Sequence, residues 1–443
     1  MRIPPEELGW LYVLKDREEY KSLARCRQRQ DEGKAVLFDL TETYDPGSDS
    51  IWATVKSPSA YGLFYKGAKT DNQILDLVRS WLDGIDARGR EVAFCYDGVN
   101  LEKPALHWLL HEIAYDLCFF YLAVNAAIAK EFPRRVIFVG DRSLRTGLLC
   151  DMCNARGIDL RLVRPPVRVR ARDIGSDVYE RLLKPFGRIL RDVLVSAGSR
   201  FRPHRLRAIS PPDPREIIVI ADFLGGNRYE KAFPAVAALP NRERYRVVYI
   251  GLNATTGIAS KNGARVDAAY RWTTFGSLSG AARSVSATLR AWKGWSVAYS
   301  GTTRSQASRI LDQVLVSRFW GRLYTFYMTA ERVGSAIRRE APDLFVLVGH
   351  DVEWAGKVLA RVAERADIPS LYLQHCILVG GNTLGDLDYT KIAVSGPYYK
   401  TVFAQSRNDS ERIEVTGPPF LDGYLGLRER RREPGRGKSC PLN

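Results

Sequence analysis

The chain has 443 residues, more than one average domain, and a hydrophobic content of 45%, enough for ordinary buried cores, so two domains are expected. Lysine and arginine outnumber acids by 66 to 50, a formal net charge of +16, which favours anionic partners: nucleotides, phosphate-bearing substrates, nucleic acid or an acidic membrane face. The seven cysteines are odd in number and mostly set in apolar segments, and the opening MRIPPEELGW lacks the apolar stretch of a signal peptide; a disulfide-stapled secreted class is thereby set aside and a reducing cytoplasm expected.

In chain order, apolar runs rich in β-branched and aromatic residues appear at 34–40 (KAVLFDL), 91–96 (EVAFCY), 135–140 (RVIFVG) and 159–163 (DLRLV). Helix-length segments at 71–88, 104–131 and 142–157 separate them, and this alternation predicts an α/β layer. The apolar stretch 117–129 (LCFFYLAVNAAIA) is shorter than the roughly 20 residues that span a bilayer and contains Asn125, so it reads as a buried helix. Gly157 is placed to close the helix before 159–163, and the first domain, 1–165, ends soon after.

From Arg161 the composition changes. RLVRPPVRVRAR is basic and proline-bearing, a helical pattern follows over 175–199, and FRPHRLRAISPPDPRE brings more prolines. This predicts a basic linker, 166–214, with one helix inside it. Its arginine runs read either as a solvated connection or as a patch for phosphate or an acidic membrane surface; without interleaved aromatics, single-stranded nucleic acid is an unlikely partner.

A second series of strands is predicted at 216–222 (EIIVIAD), 245–251 (YRVVYIG), 343–349 (DLFVLVG), 369–374 (PSLYLQ), 390–395 (TKIAVS) and 411–417 (ERIEVTG). These runs are continuously apolar rather than alternating, the pattern of a parallel sheet covered on both faces. Between them, 305–340 has a helical pattern, whereas 260–300, rich in Ser, Thr and Gly, reads as a mobile excursion near a site.

Ligands of doubly wound sheets sit beyond the carboxyl ends of the strands, where loops and helix amino termini present N–H groups to negative charge. Three stretches of this chain place unusual residues there. Gly225, Gly226 and Asn227 follow the first strand of the second series and make either a plain tight turn or a loop whose backbone approaches a phosphate or sugar. His350 and Asp351 follow the 343–349 strand; Asp351 is placed to cap the next helix, and His350 to donate a proton or contact a sugar. Gln374 and His375 end the 369–374 strand on two polar groups, ahead of the loop ILVGGNT.

Other signals carry less. His107 and His111 in HWLLH are one helical turn apart, but Trp108 stands where the metalloprotease arrangement needs Glu. Cys150 and Cys153 in CDMC have zinc or redox spacing without a second ligand pair. The GxGxxG, Walker A and GxSxG patterns do not occur, which removes the dehydrogenase, P-loop and serine-hydrolase readings.

The run APDLFVLVGHDVEWAGKVLARVAERADIPSLYLQHCILVGG, followed by TKIAVSGPYYKTVF and ERIEVTGPPFLDGY, resembles the amino-terminal half of GT-B-fold transferases of surface polysaccharide synthesis, of the capsule and teichoic-acid type. It is more distantly similar to non-hydrolysing UDP-N-acetylglucosamine 2-epimerases. The matching positions are Pro342-Asp343, Gly349 to Asp351, Pro369, Gln374 to Cys376 and Val415 to Asp422, within 216–424; Cys376 and Pro418 depart from the glycine and asparagine of that pattern.

The residue patterns predict two Rossmann-like parallel-sheet domains joined by the basic, proline-rich helical linker, the first (1–165) of unknown role; the resemblance, which covers 216–424, implies that the second (215–424) is of GT-B amino-terminal type. It implies a nucleotide-activated sugar or glycerol phosphate as donor and a carbohydrate or lipid-linked acceptor. No bound metal or other cofactor is implied, the leaving diphosphate being stabilised by helix amino termini and basic side chains. His375 and His350 would be the catalytic residues, with Gly225, Gly226, Asn227, Asp351, Gln374 and Gly417 contacting substrate in an interdomain cleft. Beyond the hinge stands only 425–443, a polar tail expected to be disordered, so the donor-binding half of such an enzyme is expected to be missing through truncation or supplied by a separate subunit. A cytoplasmic protein, peripheral at the inner face of the cell membrane, is the corresponding location. The competing readings are a nucleotide-sugar epimerase and a non-catalytic scaffold that binds acidic membrane or nucleic acid.

Overall fold

The computed structural model describes residues 9–15, 19–28, 35–42, 52, 54–65, 67–83, 91, 94–108, 115–140, 144–164, 179, 183–201, 216–223, 240–252, 266–298, 320–349, 354–374, 387–405 and 409–417. They form an α/β protein with two Rossmann-like, wholly parallel sheets of five and seven strands.

The first part of the chain runs β1 (Trp10–Leu14), α1 (Tyr20–Gln28), β2 (Ala35–Asp39), β3 (Thr54–Lys56) and α2 (Ala68–Asp83). It continues through β4 (Cys95–Tyr96), β5 (Val99–Asn100), α3 (Glu102–Trp108), α4 (Tyr115–Glu131), β6 (Arg135–Val139), α5 (Leu144–Asn154) and β7 (Asp159–Val163). The five-stranded sheet has the order β3-β2-β1-β6-β7, every pair parallel. α4 is mostly apolar and buries Leu117, Phe119, Phe120, Val124 and Ile128, its charged residues, Asp116, Lys130 and Glu131, standing near its ends. Gly157 takes φ +66° after α5, the left-handed turn expected of it.

The 91–96 run is not a strand of this sheet. Asp97 and Gly98 both have positive φ, 51° and 75°, which folds Cys95–Tyr96 back antiparallel onto Val99–Asn100 as a separate two-residue hairpin. An apolar run marks a buried segment without saying which partner it pairs with, and here the Asp-Gly turn decides. Conversely, WLYVL carries the same signal as the other runs and forms the central strand, β1, although it is not among those singled out above.

α6 (Lys184–Phe201) is the helix expected within the basic linker. The remaining elements are β8 (Glu216–Ala221), β9 (Tyr245–Gly251), β10 (Ala268–Arg271), α7 (Leu278–Ala298), α8 (Trp320–Glu340), β11 (Leu344–Gly349), α9 (Trp354–Arg365), β12 (Ser370–Gln374), β13 (Lys391–Val394), α10 (Pro397–Gln405) and β14 (Ile413–Val415). The seven-stranded sheet has the order β10-β9-β8-β11-β12-β13-β14. All six runs of the second series are strands of it.

The 260–300 region is corrected: its described part holds β10 and the 21-residue α7 rather than an excursion. Its small residues pack closely instead of marking a loop. Ala281, Ser284, Ala287, Thr288 and Ala291 are buried, and the Thr288 hydroxyl is satisfied by the Ser284 carbonyl at 2.7 Å. Of the 305–340 helical pattern, the described part is α8.

One hydrophobic cluster joins the two sheets, running from Leu11 and Val36 through Tyr96 and Phe326 to Ile392 and Ile413. At the junction Tyr96 stacks on Tyr327 at 4.8 Å, and Lys103 pairs with Asp388 at 2.8 Å. Among the described residues no helix is long and apolar enough to cross a membrane.

Candidate functional site

The strand order of the larger sheet marks the place where a ligand is expected to bind. The chain builds outward from β8 to β9 and β10 on one side, then returns to lay β11 to β14 on the other, so the direction of winding reverses between β8 and β11. At such a reversal the loops after the two strands diverge to opposite faces and leave room for a ligand at the carboxyl edge. β8 and β11 are directly paired, Ala221 opposite Leu347, and β11 pairs in turn with β12, Gly349 opposite Gln374.

Local contacts hold the exit of β8. Asp222 is buried; its N–H donates to the Ile250 carbonyl at 2.8 Å, and its carboxylate accepts from the Tyr249 hydroxyl at 2.9 Å. The Trp272 indole donates to the Asp222 carbonyl at 2.9 Å, and Phe223 stacks on Trp272 with ring centroids 4.4 Å apart. A buried carboxylate at a strand end costs free energy unless it is hydrogen-bonded, and here the Tyr249 hydroxyl of β9 supplies a partner. Gly251 ends β9 where a Cβ would run into the Tyr249 ring. The chain therefore enters the 224–239 segment from a fixed point.

Gln374 is buried at the end of β12, and its side-chain carbonyl accepts from the Ser395 N–H at 2.8 Å, tying that end to the residue after β13. This contact positions the carboxyl edge; the edge continues through Thr416, whose N–H donates to the Val394 carbonyl at 3.0 Å. Gly417 follows with φ +77°, a left-handed conformation that suits glycine. Gly225, Gly226, Asn227, His350, Asp351 and His375 lie outside the described residues. In sequence His350 and His375 directly follow β11 and β12, and Gly225 stands four residues beyond the end of β8.

A second polar cluster, which the sequence reading does not find, lies between the hairpin and the helices of the larger sheet. Glu331 accepts from Tyr96 at 2.6 Å and from Arg283 at 2.8 and 2.6 Å in a two-pronged contact. A cavity of about 510 Å³ opens beside it, lined also by Asp97 and Arg338. Burial pushes the Glu331 carboxyl up, but the hydrogen bonds from Arg283 and Tyr96 outweigh it and hold the group below the usual carboxylate value. It is a bound anion rather than a base poised near neutrality. The residues involved are more than 180 positions apart in part, since Tyr96 and Glu331 are separated by 235 residues, so no local pattern could signal them.

In the smaller sheet the winding reverses between β1 and β6. Lys15, just beyond β1, pairs with the buried Glu19 at 3.1 Å, and Asp39 at the end of β2 accepts from the N–H and hydroxyl of Thr41 at 2.9 and 2.6 Å. Cys150 and Cys153 lie on α5, and burial pushes the Cys153 thiol up to about 12. Among the described residues no group of three or more His, Cys, Asp or Glu side chains is placed to hold a metal ion. The side chains of His107 and His111 lie outside the described residues.

No protein-family model matches the chain, and no curated protein matches it. Among solved structures, CobK precorrin-6A reductase aligns over 97% of this chain and 100% of its own, with 9% identity and a TM-score of 0.18, a likeness too slight to bear on function.

Proposed function

We propose that the protein is a GT-B-like transferase of surface-carbohydrate assembly, moving a nucleotide-activated sugar or glycerol phosphate to a carbohydrate or lipid-linked acceptor. The observation that supports this reading is the β8/β11 reversal in a seven-stranded parallel sheet, because the sequence shortly after β8 carries Gly225-Gly226-Asn227, and the residues next after β11 and β12 are His350-Asp351 and His375. In this reading the glycine loop brings backbone N–H groups to a phosphate or sugar. His375 serves as acid/base or phosphate contact, and His350 as its partner across the β11–β12 pair. Gln374 positions rather than reacts, since its carbonyl is engaged with Ser395.

Ligand-observed NMR of the full chain with UDP-sugars and CDP-glycerol tests it. Binding that His375→Ala and His350→Ala weaken, with circular dichroism unchanged, supports the reading. Because the donor-binding half is expected to be missing or on a separate subunit, carbohydrate acceptors are tested in the same experiment; absence of binding by donors and acceptors alike overturns the reading, and turnover of a UDP-sugar without an acceptor assigns an epimerase instead.

A further inference from the structure

α6 carries a row of exposed large apolar side chains. α6 turns Ile189, Val193 and Asp192 inward: the first two pack with Ala281, Tyr324 and Met328, and Asp192 accepts from Arg332 at 2.7 Å and Tyr324 at 3.3 Å. On a flank of α6, Phe186, Leu190 and Leu194, with Leu183 immediately before the helix, are 61, 60, 62 and 61% exposed. Their spacing of three or four residues sets them in one line over three turns. On the adjoining α7, Leu289 and Trp292 are also exposed, beside a groove of about 530 Å³ between the two helices. Single exposed leucines are ordinary; an aligned row of large apolar side chains on one helix, continued on its neighbour, is a docking face.

The charge around this face selects the partner. α7 contains no Asp or Glu, and the sole acid of α6, Asp192, is turned inward onto Arg332. The cations Lys184 and Arg191 each follow a residue of the apolar row, and Arg290 and Lys293 line the groove. A helix with an apolar stripe bordered by lysine and arginine lies in the interface of a membrane, its cations at the headgroups and its apolar side chains among the acyl chains. A second copy of the chain fits poorly, because a two-fold contact through this face would set the same cations against one another.

We propose that the outer face of α6, with the adjoining turns of α7, docks the protein on an anionic phospholipid bilayer. The proposal is independent of the chemistry assigned to the β8/β11 crevice. It is tested by flotation of the full chain with phosphatidylcholine vesicles and with vesicles that also contain phosphatidylglycerol, at low and high salt. The wild type floats with the anionic vesicles, less so at high salt, and is quenched by brominated phosphatidylglycerol; Trp292→Phe reduces the quenching. Leu190→Glu combined with Leu194→Glu, both at exposed positions, brings flotation down to the phosphatidylcholine level with circular dichroism unchanged, and Arg191→Glu combined with Arg290→Glu lowers it as well. Anionic vesicles that fail to float the wild type, or that float the double-glutamate variant equally, overturn the proposal. A wild-type dimer split by the leucine substitutions, without vesicle binding, assigns the face to self-association and overturns it too.

Discussion

Tyr12 illustrates how a single side chain is governed by its surroundings. It sits in the central strand β1 with no exposure and meets Trp52 edge to face at 4.7 Å. Burial, reinforced by Cys26, pushes its phenol from 10.0 up to about 12. Because the folded value is the higher one, the stabilisation linked to this group is complete below pH 10.0 and is lost as pH rises through about 12. The loss is on the order of 2 kcal/mol. Tyr12→Phe therefore loses less stability than the wild type when urea unfolding is compared between pH 7 and pH 12; equal losses would refute the assignment. At this scale the sequence shows composition but not environment. Tyr12, Asp222 and Glu331 are unremarkable in the linear chain, and only the fold decides that the first is dry, the second clamped by Tyr249 and Trp272, and the third paired with Arg283.

At the scale of elements, two helical glycines separate packing from propensity. Gly356 in α9 faces the sheet, where a Cβ would stand 2.5 Å from Leu347 Cδ2 and 2.6 Å from the Tyr389 hydroxyl, both in the core. Gly147 in α5 is exposed, with nothing within 4 Å of the same position. Alanine is the better helix former by about 1 kcal/mol, and overpacking a core costs about 1 to 3 kcal/mol. Gly147→Ala accordingly raises the urea midpoint, while Gly356→Ala lowers it; a rise for both would mean that the α9–sheet contact is loose. Elements were also where sequence reading succeeded best. The continuous apolar runs of the second series are strands, because a parallel sheet covered on both faces admits little else. It failed for 91–96, where the Asp97-Gly98 turn redirects the chain, and for α7, whose Ser, Thr and Gly content resembles a loop until its close packing on α8 is seen.

For the whole molecule, the hydrophobic cluster shared by the two sheets and the Tyr96–Glu331 and Lys103–Asp388 contacts predict coupled unfolding. Calorimetry of the full chain should give one transition, and Tyr96→Phe should lower its midpoint; two separate transitions, with only one moved by the substitution, would show that the sheets unfold independently. The candidate crevice is a property of this scale as well. The sequence by itself determined the α/β class, the positions of most strands and the helix that is α6, because periodicity and apolar continuity act locally. The tertiary structure alone decided the order of the strands, and with it the β8/β11 reversal, the hairpin outside the sheets, the burial of Glu331, and which face of α6 stays in contact with solvent. These depend on contacts between residues far apart in the chain, where loop closure and packing select among topologies that the same local signals allow equally.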